Sequence, residues 1–167
     1  MARSFKLTAD GGSRGNPGPA GYGAVVTENG KIVAELFDVI GIATNNVAEY
    51  SGLLAGLSHI NKLDPAATVE VAMDSKLVVE QMSGRWKIKN EGMQELSAQM
   101  ATAIGSRKIS FEWIPREQNT KADALANEAM DAESSVTRKY IGEPGTATIN
   151  IITEAAKPTA ADLEYNP

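Results

Sequence analysis

Asp10, Glu49, Asp74 and Asp123 lie far apart in the chain, yet each stands where a predicted strand meets a helix or a tight turn. A mixed or parallel α/β sheet gathers strand ends and helix starts along one edge, so four such carboxylates can share one site. Carboxylates brought together repel one another unless a cation lies among them. Oxygen-only ligands suit hard ions such as Mg²⁺ or Mn²⁺, whereas zinc calls for His and Cys. The chain has no Cys and one His. Each acid also has an ordinary structural explanation: Asp10 before Gly11-Gly12 can close an Asx-type turn, and Asp74 beside Ser75 can cap a helix. Glu49 and Asp123 stand three residues after Asn46 and Thr120, the spacing of a capping box. The four taken together point to metal chemistry.

The elements that must position these acids follow from the hydrophobic pattern. Phe5 to Ala9 alternates apolar and polar residues and leads into a Gly/Pro-rich loop over Gly11 to Gly23. Tyr22–Glu28 and Lys31–Ile40 are β-favouring runs joined by Asn29-Gly30, a strong hairpin signal, so the first three strands form an antiparallel meander. Thr44-Asn45-Asn46 supplies caps for a helix to about Lys62, with an apolar stripe of Tyr50, Leu53, Leu54, Leu57 and Ile60. A strand over Val69–Met73, a helix near Lys76–Met82, a helix from about Glu91 to Ile104, a strand over Ile109–Ile114 and a helix over Thr120–Asp131 complete the order βββαβααβα. This is an α/β fold, a five-stranded mixed sheet with helices on both faces. His59 falls in mid-helix, away from the acids, and reads as a surface or half-buried residue; Phe111 and Trp113 read as core.

At 167 residues the chain suits one domain with a proper core, assigned to residues 1–135. Periodicity fades beyond about Val136 and Gly, Pro, Thr and Ala are prominent from Gly142 to Pro167, so residues 136–167 read as a flexible tail or linker. No basic-then-apolar leader opens the chain and no apolar run reaches membrane-spanning length, so the expected compartment is the cytoplasm, with no membrane partner. The net charge of −5 argues against broad attraction to nucleic acid. Four of those negative charges belong to the proposed metal site, and positive charge gathers at Arg85-Trp86-Lys87-Ile88-Lys89, a mixture of cations and an aromatic suited to tracking a nucleic-acid backbone. A solvated loop between helices explains that segment equally well.

Four segments carry a family resemblance: Asp10-Gly-Gly-Ser-Arg-Gly-Asn-Pro-Gly-Pro-Ala-Gly-Tyr-Gly23, Thr44-Asn-Asn-Val-Ala-Glu-Tyr50, Met73-Asp-Ser-Lys76 and Asn119-Thr-Lys-Ala-Asp-Ala-Leu-Ala126. In order and approximate spacing, roughly residues 4 to 133 resemble bacterial type I ribonuclease H. The resemblance implies a metal-dependent endonuclease that hydrolyses the RNA strand of an RNA/DNA hybrid. It makes Asp10, Glu49, Asp74 and Asp123 the acids that hold two Mg²⁺ or Mn²⁺ ions, and places Gly15 along the RNA. Asn16, Thr44 and Asn45 match positions that hold a DNA phosphate or read the minor groove. The Gly-rich stretch from Gly11 to Gly18 permits a nucleic-acid strand to approach closely, since a Cβ would fend it off.

Two departures bear on mechanism. Many relatives place a mobile histidine before the last acid, whereas this loop reads Trp113-Ile-Pro-Arg-Glu-Gln-Asn119. Arg116 resembles the arginine of a subgroup that lacks the histidine, and its help is electrostatic or positional because Arg is no base at neutral pH. The basic protrusion is also abbreviated to Arg85, Trp86, Lys87 and Lys89, which predicts weaker substrate affinity and a shallower salt dependence. Similar domains open bacterial proteins whose second domain resembles a phosphatase, so a covalently linked downstream domain of that kind is an expected partner. The domain itself is expected to be monomeric. Two rival readings stay open from sequence alone, a catalytically silent hybrid-binding module and a DNA-acting nuclease of the same superfamily.

Overall fold

The computed structural model describes residues 3–89 and 91–131, together with the backbone of residues 139–140. Its sheet begins with β1 (Ser4–Ser13), β2 (Gly18–Glu28) and β3 (Lys31–Ala43), an antiparallel meander as the sequence predicts. Asn29 and Gly30 adopt φ of 53° and 78° between the paired Glu28 and Lys31, which is the left-handed backbone that a two-residue hairpin turn requires. The strands run longer than their apolar cores, and β1 continues through Asp10 to Ser13.

Helix α1 (Asn45–Leu63) starts at Thr44, whose Oγ1 accepts from Val47 N at 3.3 Å. Strand β4 (Thr68–Met73) then pairs parallel to β1, and α2 (Lys76–Met82) and α3 (Glu91–Ile104) lead to β5 (Ile109–Trp113), parallel to β4. A single 3₁₀ turn over Arg116–Gln118 precedes α4 (Thr120–Asp131). A two-residue strand, β6 (Lys139–Tyr140), pairs antiparallel with β3 at Ala34 and Glu35, giving the order β5-β4-β1-β2-β3-β6. The five strands read from the sequence form the body of this mixed sheet. The sixth falls within the segment read as tail, and residues 141–167 of that segment lie outside the described residues.

The sheet has a core on each face. On one, Phe5, Leu7, Val69 and Val71 pack with Leu53, Leu57 and Ile60 of α1 and with Met93 and Met100 of α3. On the other, Val25 and Phe37 pack with Ala122, Leu125 and Ala129 of α4. Each fully buried Leu, Ile or Phe contributes roughly 1.5–3 kcal/mol. Two expectations about single residues change. His59 is buried, because α1 is covered by α3 as well as by the sheet, and Trp113 is 47% exposed at the end of β5, an edge strand.

Candidate active site

β1 and β4 run parallel, and their last register pair is Ala9 with Met73. The next residue on each strand is an acid, so Asp10 and Asp74 emerge side by side from strands about 4.8 Å apart. Main-chain contacts then bring the helices to them. A Cβ at Gly11 would stand 2.3 Å from the Ala48 carbonyl carbon and 2.5 Å from Glu49 N, so only a glycine lets α1 lie against β1 at that point. Gly23, opposite Asp10 in the β1–β2 register, does the same on the other face, where a Cβ would come within 2.4 Å of the Ala122 carbonyl oxygen. Glu49 and Asp123 are thereby delivered to Asp10 by backbone packing. The close approach allowed by Gly11 is made by the protein's own helix, not by the nucleic-acid strand that the sequence suggested.

None of the four acids caps a helix. Thr44 and Ser75 cap α1 and α2, and Asp123 lies inside α4. Asp10 is buried, and its Oδ1 accepts from Gly11 N at 2.9 Å. Burial above all, then the charge on Asp74, a hydrogen bond with Asp123 and the charge on Glu49, push the Asp10 carboxyl up to about 8 despite the Gly11 amide. Burial and the Asp74 charge push Glu49 up to about 7, although Ser75 Oγ donates to its Oε2 at 2.5 Å. Asp74 Oδ1 accepts from Asn119 Nδ2 at 2.9 Å, and the same Nδ2 donates to Ala9 O at 2.9 Å. Arg116, exposed in the 3₁₀ turn, reaches Asp123 Oδ1 with Nη2 at 3.4 Å.

All four acids line one cavity of about 380 Å³, together with Arg14, Asn45, Arg116 and Asn127 among others. Such a site is short of positive charge, and its all-oxygen donor set fits a hard divalent cation. Among the described residues no three acidic or histidine side chains are already drawn together at metal-holding distances. Glu49 and Asp74 each accept a hydrogen bond from a neutral donor, Ser75 and Asn119.

The other predicted residues divide by place. Asn45 lines the cavity, its Oδ1 accepting from Ser13 N at 2.9 Å and Ser13 Oγ at 3.1 Å. Asn16 is exposed beside it, its Oδ1 accepting from Asn45 N at 3.0 Å, and Gly15 is exposed in the same loop. Thr44 is buried, its hydroxyl spent on capping α1. Arg85, Trp86, Lys87 and Lys89 are exposed but lie outside the cavity, and Arg85 is held in a bidentate ion pair by Glu80 at 2.6 and 2.8 Å.

Sequence reasoning did not single out Asn119, Ser75 or Arg14 as site residues, and it placed Trp113 in the core. Asn119 and Ser75 sit inside the quoted motifs, so their location was visible. Their partners were not, because Asn119 bonds to Ala9 across 110 positions and Ser75 to Glu49 across 26. Trp113 Nε1 donates to Asp74 O at 3.3 Å, and Lys76 Nζ stands 5.9 Å from its ring centre, so this exposed ring flanks the site.

Fold and site together define a reverse transcriptase-like domain, the description of the family model that matches residues 8–129. The "Bifunctional protein Rv2228c" of Mycobacterium tuberculosis is 59% identical over 129 residues, which cover 75% of this chain and 35% of that protein. The solved N-terminal RNase H domain of that same protein superposes with a TM-score of 0.75 at 54% identity, over 78% of this chain and 95% of the solved one. LC11-RNase H1, solved in complex with RNA/DNA hybrid, superposes with a TM-score of 0.73 at 42% identity, over 77% of this chain and 97% of that one. The chain belongs to the ribonuclease H family and is a type I-like ribonuclease H domain. It spans about a third of the length of the mycobacterial relative.

Proposed function

We propose that the domain hydrolyses the RNA strand of RNA/DNA hybrids with two Mg²⁺ or Mn²⁺ ions, held by Asp10, Glu49, Asp74 and Asp123. The carrying observation is the shared cavity of four acids, two of them held by burial and mutual repulsion well above the usual carboxylate range. A pair of divalent ions, when bound, supplies an activated water and stabilises the leaving oxygen of a phosphodiester. The chain's own residues provide the rest. Gly11 and Gly23 fix Asp10 between α1 and α4, while Ser75 and Asn119 orient Glu49 and Asp74. Arg116 brings positive charge to the rim of the cavity beside Asp123.

Substrate contacts are assigned to Gly15, Asn16 and Asn45, with Thr44 buried beneath them as the cap of α1, Trp86, Lys87 and Lys89 following the duplex farther out, and Arg85 held back by Glu80. The Ser13–Asn45–Asn16 bonds support this assignment, because they fix polar, uncharged groups beside the acids, suited to deoxyribose and 2′-hydroxyl recognition without base preference. The hybrid bound to LC11-RNase H1 favours the same substrate. Residues 136–167 are assigned as a linker, joined at its start to the sheet by β6, that leads to a second domain. The bifunctional mycobacterial relative, about three times as long as the match, supports that reading. No helix among the described residues is long and apolar enough to cross a membrane.

The test is a strand-specific assay on RNA/DNA hybrid, RNA duplex and DNA duplex with Mg²⁺ or Mn²⁺, using the intact chain and Asp74→Asn. RNA-strand cleavage of the hybrid that Asp74→Asn abolishes is expected. Binding without cleavage would make the chain a hybrid-binding module, and cleavage of matched DNA would make it a DNA nuclease.

A further inference from the structure

Among the cavity's lining residues, two are cations. Arg116 leans toward Asp123, while Arg14 enters from the β1–β2 loop on another side. Arg14 Nη2 stands 2.8 Å from Asp131 Oδ1 and 3.4 Å from Asn127 Oδ1. Asp123, Asn127 and Asp131 succeed one another at four-residue spacing, so they form one stripe of α4, and Arg14 lies along the stripe that begins at the fourth acid.

The two ends of Arg14 are held very differently. Its backbone is fixed: Arg14 N donates to Pro19 O at 2.8 Å, and a Cβ at Gly18 would stand 2.1 Å from Arg14 O. Ser13, the residue before it, is bonded to Asn45. The side-chain ion pair is solvated, with Arg14 49% and Asp131 66% exposed, so it contributes little and breaks at little cost. A guanidinium on a rigid base, loosely tethered beside an anionic cavity, matches a phosphate better than it matches one exposed carboxylate.

We propose that Arg14 is a further substrate-binding residue, which leaves Asp131 to grip a backbone phosphate of the bound duplex. This rests on the reading of RNA/DNA hybrid as the substrate. Asp131 then acts as a resting partner that the phosphate displaces, and the contact carries no base preference.

The experiment is equilibrium binding of a fluorescently labelled RNA/DNA hybrid, followed by anisotropy in Ca²⁺ at several salt concentrations, with a gel to confirm that the RNA stays intact. Arg14→Ala is expected to bind about eightfold more weakly at 0.1 M salt and to lose about one phosphate contact from the salt slope, since each contact contributes about 0.9 to that slope. Asp131→Asn is expected to tighten binding about twofold, the scale of one solvated ion pair. That gain should at least halve when Arg14 is already alanine. Unchanged affinity and slope in Arg14→Ala, or an Asp131→Asn effect equal in both backgrounds, would overturn the proposal. A hybrid that is bound but left uncut in Mg²⁺ would instead overturn the nuclease reading alone, and a hybrid that is not bound at all would overturn both.

Discussion

Around Asp10 negative charge is buried and held in place by main chain, whereas at Arg85–Lys89 positive charge is exposed and anchored by a few polar side chains, Glu80 first among them. At the first region Gly11 and Gly23 seat two helices against β1 and β2, and the acids they deliver have no full complement of cations. At the second, Glu80 O accepts from Arg85 N at 2.9 Å and from Trp86 N at 3.2 Å, while the Glu80 carboxylate takes the Arg85 guanidinium. Gln81 adds a further tie, donating to Lys87 O at 3.2 Å and accepting from Tyr50 OH at 2.7 Å. The backbone of this segment is fixed, yet Trp86 remains 46% exposed and both lysines face solvent. The contrast separates two tasks. Under the proposed function, chemistry depends on groups that cannot move without disturbing the core, and duplex affinity depends on groups that the core does not need.

The largest expected effect lies in the first region. Gly11→Ala forces a Cβ into the Ala48–Glu49 backbone and is expected to cost about 3 kcal/mol or more of stability, measured by urea unfolding. Stability equal to wild type would show that α1 does not depend on this contact. A smaller effect concerns the buried charge. Asp10 and Glu49 have folded-state pKa values above their unfolded ones, so the protonated acids stabilise the fold fully below about pH 4, and that contribution is lost as pH rises toward about 8. In EDTA the melting temperature should therefore fall across this window. Asp10→Asn should remove much of the fall, making the variant about 2 kcal/mol more stable than wild type at pH 8 and no more stable at pH 4. Parallel profiles for the two proteins would deny the burial of charge at Asp10.

The smallest effect sharpens the second region. Lys87→Ala is expected to raise KM for hybrid about threefold while changing stability by less than about 0.5 kcal/mol. Arg85→Ala should do the reverse, lowering stability in urea unfolding because Glu80 loses its bidentate partner, with a KM change smaller than that of Lys87→Ala. If Arg85→Ala costs affinity and not stability, Glu80 is no anchor and the contrast between the two regions weakens.

Much of this architecture was legible because its signals are local. Asn29-Gly30 announced its hairpin, the apolar stripe of α1 announced its buried face, and each acid stood within about a turn of an element end, though only Asp74 lies between two elements. What was not legible required distant partners. Gly11 looked like room for a ligand, since a sequence cannot show that Ala48 lies over it. Trp113 looked like core, since strand alternation does not reveal that β5 is an edge. Arg14 was passed over within a recognised motif, because its partner Asp131 is more than a hundred residues away and an exposed arginine carries no signal of its own. β6 was missed because two residues are too few to show a period.

Asn119 ties the end of β1 to Asp74 through one amide group, and it does so from the threshold of the last helix. During synthesis Asp10, Glu49 and Asp74 leave the ribosome well before that amide exists, and over that interval the third acid lacks its donor. Asp123 comes with the same helix, so the cavity of four acids cannot be complete before that segment has been made. A polypeptide clipped ahead of residue 119 lacks both the fourth acid and the amide that holds the third.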